Sequence, residues 1–559
     1  MIFGTLLDPL PESLKKGSTE KLYGANVAMM NFLRALLTYG TFDEYHFFVS
    51  ASDPEEAKRD WEKVLMTMFR EAPIKVRDLF ELRYAMKEKE FTVFHSETSL
   101  RTLAYARSQF GVNLFPVTVR INSISYQFLL SEILLTLLES DLYSFDSVVC
   151  ISSAAKDAYE KLFVQVSDEL SLRHSLQIRY PGRFDLIPLG VDTETFRPRD
   201  KRDARKLLSL PQDKLILLCF ARFSAHEKMD LLPLLRGFQR LLGECQGEAS
   251  RLLLLLAGDD ERYHYAQEVE KFAEALGVAK VVRFMKNPSF IEQPLIYSAA
   301  DVFVSFADNF QESFGITVLE AMASGLPAIV SDWDGYKDTV LHGKTGFRVP
   351  TYWTDCEERI SLFSPICSWR LEHLYLAQSV CVDINQMVEY LKEVIQHQEL
   401  REEMGRNARK WVVERFDWKV VIEQYEALWM ELYQASRDFE RQNKERPLAP
   451  KVPLLRPHRL KAFSSYPSRL IEAETQIHTT SYGNDVLGKK ANLQLYKGMK
   501  NLLLFPMIQD ILVLAQEKKP MGEVETELLR KYHKYSPTPQ DIKYQMAWML
   551  KQGLLEVVS

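Results

Sequence analysis

The sequence predicts an α/β protein: two doubly wound parallel-sheet domains, followed by a small helical or winged-helix-like module. Three features predict it. Short apolar runs alternate with amphipathic stretches from residue 1 to about 415, and runs that are apolar on both faces belong to parallel strands covered by crossover helices. The runs fall into two series separated by the turn-like GVDTETFRP at Gly190–Pro198, which suits two sheets better than one closed barrel. Beyond Ala435 the composition changes, first to a proline-dense stretch and then back to helical periodicity. A length of 559 residues leaves room for three to four domains at about 150 residues each.

The elements follow in order. The N-terminus, MIFGTLLDPLPESLKK, begins at once with a strand. It has no basic n-region, long apolar core or small-residue cleavage site, so it does not read as a signal peptide. Candidate strands of the first series are Tyr45–Val49, Phe91–Phe94, Pro116–Ile121, Ser147–Ile151 and Asp185–Pro188. Those of the second are Lys214–Cys219, Arg251–Ala257, Val281–Phe284, Val302–Ser305 and Ala328–Ser331. Amphipathic helices fill the gaps at Ala25–Tyr39, Ser153–Leu162, Leu231–Leu242 and Tyr263–Leu276. Tyr352–Ser379 reads as an irregular surface insertion, and a long helix follows around Trp418–Tyr433. Asp438–Arg469, with Pro447, Pro450, Pro453, Pro457 and Pro467 among many Arg and Lys, reads as a linker or extended arm. Met507–Gln516, Gly522–Tyr532 and Thr538–Gln552 then form the terminal helices, closed by the apolar LLEVV.

Composition narrows the function. Lys plus Arg number 70 against 76 Asp plus Glu, a net charge of −6, which argues against nucleic-acid binding through the whole surface. No stretch approaches the apolar length that crosses a bilayer. The six Cys show no CxxC spacing, which suits reduced thiols in a cytoplasmic protein and not a zinc site.

The chemistry concentrates in residues 301–350. A buried strand leads through a polar loop to the turn Ser313–Gly315 and a helix from Thr317. Gly315 lets a ligand approach the backbone, and the amides of Phe314, Gly315 and Ile316 at the helix start attract phosphate. Glu312 precedes the turn and Glu320 lies within the helix, roughly 12 Å on at about 1.5 Å per residue. That span exceeds a paired-carboxylate glycosidase site. It fits a ligand with hydroxyls at both ends and phosphates between. Upstream, Arg222 ends an apolar strand and Lys228 follows six residues later, two cations in the crevice where such sheets bind ligands. Two cations match a diphosphate leaving group. Gly343-Lys344-Thr345 fails as a P-loop because Asp338 stands where the first Gly is required, and Asp332-Trp-Asp334 reads as structural.

On these motifs, residues 1–435 resemble a glycosyltransferase of family 4, the glycosyl transferases group 1. The resemblance rests on Gly24 before a helix, FDSVVCISSAAKD, DLIPLGVDTETFRP, ARFSAHEKMDLL, ESFGITVLEAMASGLPAIVS, HGKTGFRV and MGRNARKWVVERFDW. It implies the GT-B fold of two facing Rossmann-like domains. The limits would be 1–195 for an acceptor-side domain and 196–415 for a nucleotide-sugar donor domain. A helix at 416–435 would pack back on the first, with a linker or arm at 436–475 and a module at 476–559. The resemblance also implies a retaining, metal-independent transfer, with a nucleotide diphosphate sugar as co-substrate and no cofactor. Arg222 and Lys228 would hold the diphosphate, Glu312 the donor sugar, Ser313, Phe314, Gly315 and Ile316 the sugar and phosphate, and Glu320 the ribose. Gly24 would lie against the diphosphate from the other domain, and His95 would be an acceptor-side residue. Two positions depart from the pattern. Asn122 stands where many relatives have a His near the reacting carbon, and it cannot titrate. Leu189 stands where they commonly have Asn. The acceptor is open: a small molecule, glycan, lipid or peptide. The alternative is a non-catalytic nucleotide-sugar-binding regulator whose terminal module binds nucleic acid or a protein or peptide partner. The basic arm and the module are where a further partner would sit.

Overall fold

A computed structural model describes residues 1–10, 24–69, 72–97, 99–139, 141–245, 247, 249–443, 459–493, 495–499, 502–533 and 537–558. The first sheet is built from β1 (Ile2–Leu7), β2 (Glu44–Val49), β3 (Ile74–Asp78), β4 (Val93–Ser96), β5 (Val117–Ile121), β6 (Ser147–Cys150) and β7 (Arg183–Leu186). Its spatial order is β3-β2-β1-β4-β5-β6-β7, and every pairing is parallel. The second sheet comprises β8 (Leu215–Phe220), β9 (Leu252–Gly258), β10 (Val282–Lys286), β11 (Val302–Ser305), β12 (Ala328–Ser331) and β13 (Gly346–Val349). Its order, β10-β9-β8-β11-β12-β13, is also parallel throughout. In each sheet the strand order reverses beside its first strand, and the crevice for a ligand opens at the carboxyl ends of the strands there.

The expected series of five strands each are larger. The opening strand expected at the N-terminus is β1. β3 and β13 were not anticipated. Each lies at the edge of its sheet, and IKVRD and GFRV carry charge inside too short an apolar run to signal a strand.

Five helices position the site: α1 (Gly24–Tyr39), α2 (Ser153–His174), α3 (Leu231–Glu244), α4 (Ile316–Ala323) and α5 (Trp369–Ala377). A sixth, α6 (Trp418–Gln442), crosses back to the first sheet. Its Trp418, Val421, Ile422, Tyr425, Leu428, Trp429 and Leu432 join Phe3, Phe32 and Phe47 in one core. The helix runs past the expected end at residue 435, because the prolines that would stop it begin only at Pro447. Those prolines, up to Pro457, and Arg456 of the arm lie outside the described residues. The stretch expected to be irregular, Tyr352–Ser379, instead holds α5 and is closed by an antiparallel pair, β14 (Thr351–Trp353) with β15 (Val380–Val382).

The terminal module contains β16 (Gln476–Thr479), α7 (Phe505–Leu514), β17 (Lys519–Pro520), α8 (Met521–Lys531), α9 (Pro539–Lys551) and β18 (Leu555–Val558). The strands form an antiparallel sheet in the order β17-β16-β18, and Ile477, Ile508, Ile511, Leu528, Ile542 and Met549 build a core of its own. The module is helical, as one of the two expectations had it, and its helices lie with a small antiparallel sheet. Among the described residues no helix is long and apolar enough to cross a membrane.

Candidate functional site

The site lies at the carboxyl ends of β8 and β11. Helix α4 starts at Gly315, whose φ of +88° is left-handed, and a Cβ there would meet the Tyr336 ring at 2.1 Å. Glycine is therefore required to swing the chain from the polar loop into the helix. The loop is pinned from inside: Asn309 Oδ1 accepts from the amides of Gln311 at 2.8 Å and Glu312 at 3.2 Å. Glu312 then accepts from the Phe314 amide at 3.3 Å and forms an ion pair with Lys228. Burial pushes the Glu312 carboxyl up, but the Lys228 ammonium and the Phe314 and Ser313 amides outweigh it and hold it below the ordinary range. Glu320 accepts from the buried Tyr297 hydroxyl at 2.7 Å, and burial pushes its carboxyl up to about 7. Lys228 acts on Glu320 electrostatically as well, so one cation serves both carboxylates.

Arg222 follows β8, and its Nη1 donates to Glu227 Oε2 at 2.6 Å. It also bears electrostatically on Tyr126, a residue of the facing domain. That domain supplies the loop after β5. Ser313 Oγ donates to the Asn122 carbonyl. Gln311 accepts from Ser125 Oγ and donates to Ser123 Oγ, both at 3.0 Å. Asn122 Oδ1 is buried and has no hydrogen-bond partner among the described residues. The N-terminus of α2 closes the other side. Ser152 Oγ donates to Asp334 at 3.2 Å, and the Ser153 amide and hydroxyl each donate to Asp338 at 2.6 Å. Burial first, and the Glu312 and Asp338 charges after it, push the Asp334 carboxyl up to about 7.

On the second domain Lys228, Glu312 and Glu320 are linked through the Lys228 ammonium beside the turn Ser313, Phe314, Gly315 and Ile316, while Arg222 is bound to Glu227, the chain neighbour of Lys228. Asn122 touches the turn from the first domain. His95 does not join them. It is 1% exposed, hydrogen-bonded to Thr118 at 2.9 Å and Glu97 at 3.2 Å, and enclosed by Phe3, Phe32, Tyr425 and Trp429. Burial holds its pKa down against the pull of Glu97. It lines a separate cavity of about 270 Å3 with Asp8, Met29, Ser50 and Glu97. Gly24 is the first residue of α1, and its surroundings lie outside the described residues. Leu189 is buried in the core of the second domain. Sequence reasoning missed Glu227, Tyr263, Asn309, Gln311 and Tyr336. Glu227 adjoins Lys228, and Asn309, Gln311 and Tyr336 lie within the stretch 301–350, so position could have singled these four out; Tyr263 lies in neither.

Comparison with known proteins bears on the family and the fold. Residues 200–364 match the family model described as "Glycosyl transferases group 1". A "D-inositol 3-phosphate glycosyltransferase 2" of Catenulispora acidiphila is 32% identical over 192 residues, covering 34% of this chain and 44% of that protein. A "D-inositol 3-phosphate glycosyltransferase" of Actinosynnema mirum is 32% identical over 209 residues, covering 36% and 49%. The matched stretch thus spans about half or less of these relatives. Among solved structures, a glycosyltransferase from Rickettsia africae ESF-5 aligns with TM-score 0.51 at 13% identity, over 77% of this chain and 98% of that one. The N-terminal domain of Candida albicans trehalose-6-phosphate phosphatase aligns at 0.50 and 11% identity, over 77% and 96%. These two are likenesses of fold, the facing Rossmann-like pair of GT-B.

Proposed function

We propose that this chain, whose residues 200–364 are a glycosyl transferases group 1 domain, transfers a sugar from a nucleotide diphosphate sugar to an acceptor. The observation that carries the reading is Lys228 set between Glu312 and Glu320 beside the amide-rich start of α4. A diphosphate takes the cations Lys228 and Arg222 and the amides of Phe314 to Ile316. Glu312 receives hydroxyls of the donor sugar and Glu320 those of the ribose. Charge developing on the leaving phosphate meets preorganised cations and dipoles, the means of metal-independent catalysis in this reading.

Retention of configuration is the stereochemistry we assign, on the family 4 resemblance. The bond from the anomeric carbon to the phosphate oxygen breaks, and the acceptor oxygen bonds to that carbon. The acceptor proton passes to the departing phosphate, so no protein base is required. Glu312, locked to Lys228, is not free to act as one. Asn122, whose buried oxygen has no partner among the described residues, is the residue we assign to accept a hydrogen bond from the acceptor or the sugar.

The test is a thermal-shift screen against uridine, guanosine and adenosine diphosphate sugars, followed by mass spectrometry with candidate acceptors. Ligand at a hundredfold over its dissociation constant is expected to stabilise the fold by about 2.7 kcal/mol. No shift with any of them overturns the reading. A partner for the module is a second reading. It is favoured by the module's own core and by its seat on the first domain, where a Cβ on Gly498 would lie 2.7 Å from the Ser52 carbonyl. DNA binding by the full chain that falls steeply with salt would identify that partner as nucleic acid.

A further inference from the structure

Glu227 is a buried carboxylate with no role in the reading above. One oxygen accepts from Arg222 Nη1 at 2.6 Å and the other from the Tyr263 hydroxyl at 2.6 Å, with Arg262 3.9 Å away. Its amide is fixed to Ser224 Oγ at 3.1 Å. The Tyr263 ring is packed edge-on by His226 at 4.6 Å and covered by the Arg370 guanidinium at 5.5 Å. Arg370 belongs to α5, which reaches the facing domain. Trp369 meets the Tyr126 ring at 5.5 Å, and His373 Nε2 pairs with the Ser125 carbonyl at 3.2 Å. Gln378, just after α5, donates to Asp230 at 3.1 Å, at the start of α3. An unbroken chain of contacts therefore runs from Arg222 through Glu227, Tyr263 and Arg370 to the loop of the first domain that also meets Gln311 and Ser313.

We infer that Glu227 and Tyr263 are positioning residues that tie Arg222 to α5, so that the diphosphate is gripped fully only while α5 straps the two domains together. The inference rests on Arg222 binding diphosphate. A guanidinium is a planar fork of five N–H donors. One is spent on Glu227, and this orients the rest for phosphate. Glu227 in turn keeps its place only while the Tyr263 hydroxyl holds its second oxygen. Loosening the strap frees the Tyr263 ring, and loosening Tyr263 frees Arg222. Groups linked this way act as a unit, and their effects do not add.

The experiment is titration calorimetry of the full chain with uridine, guanosine and adenosine diphosphates, using the tightest binder, on wild type, Tyr263→Phe, Trp369→Ala and the double variant. Tyr263→Phe removes one hydroxyl and keeps the ring under Arg370, so folding survives; melting temperatures check this. Each single change is expected to weaken binding about tenfold, and the double change to weaken it about tenfold and not about a hundredfold. Wild-type affinity in Tyr263→Phe, or a hundredfold loss in the double variant, overturns the inference. Lys228→Ala separates the two levels. If wild type binds no diphosphate, or Lys228→Ala binds as well as wild type, the diphosphate reading falls and this inference with it. If Lys228→Ala weakens binding while Tyr263→Phe does not, only the strap coupling falls.

Discussion

Lys228 faces two carboxylates of opposite character. Glu312 is held ionised by its ion pair, while Glu320 is pushed up to about 7 by burial. Lys228→Ala strands Glu312 with its charge uncompensated and, in the proposed reading, removes a cation from the leaving group. Turnover is expected to fall more than tenfold, read by steady-state kinetics. Glu320 gives a pH signature. It is mostly protonated at pH 6 and mostly ionised at pH 8; in the proposed reading ribose hydroxyls donate to the ionised form, so binding draws its pKa down and releases a proton. Donor affinity is therefore expected to rise from pH 6 to 8, and Glu320→Gln to flatten that rise. Asp334 titrates in the same range, so the component lost in Glu320→Gln is the one that belongs to the ribose site. In the free protein the sign reverses. Burying the anion costs stability, so Glu320 makes the fold less stable as pH climbs from the ordinary 4.5 to about 7. These residues were legible because ESFGITVLEAM and ARFSAHEK place charge where backbone punctuation is strongest. Tyr263 was not, since its meaning comes from Glu227, 36 residues earlier.

Helix α4 depends on how it begins. Gly315→Ala places a methyl group on the Tyr336 ring and asks a non-glycine residue to hold a left-handed φ. A loss of about 1–3 kcal/mol is expected, read as a lower melting temperature, with donor binding weakened in parallel. Helix α6 depends on what it buries. Trp429 is fully enclosed, and its Nε1 donates to Thr118 at 3.2 Å. Trp429→Ala is expected to cost about 3–5 kcal/mol, measured by denaturant unfolding. Central strands such as LILLCF and LLLLLAG announced themselves by apolar runs. The edge strands β3 and β13 did not, because an edge tolerates charge that a buried strand cannot. The insertion was misread as irregular for a related reason: α5 is ordered by Tyr126 and Ser125, more than 240 positions away, and that contact leaves no local pattern.

At the scale of the molecule, two sheets face each other across a cleft closed from three directions. Helix α2 grips Asp334 and Asp338, the β5 loop grips Gln311 and Ser313, and α5 spans to Ser125 and Tyr126. The architecture was readable from strand series and the break at Gly190–Pro198. The closure was not, because none of its contacts is close in sequence. In the proposed reading, closure excludes water and aligns donor with acceptor. Its cost is met by contacts whose partners sit in both domains. The most direct test is a crystal structure of the full chain with the nucleotide diphosphate sugar selected by thermal shift. The account predicts the diphosphate between Arg222, Lys228 and the amides of Phe314 to Ile316, with the ribose on Glu320 and the sugar on Glu312. Nucleotide found elsewhere, with Lys228 and Glu320 untouched, would contradict it.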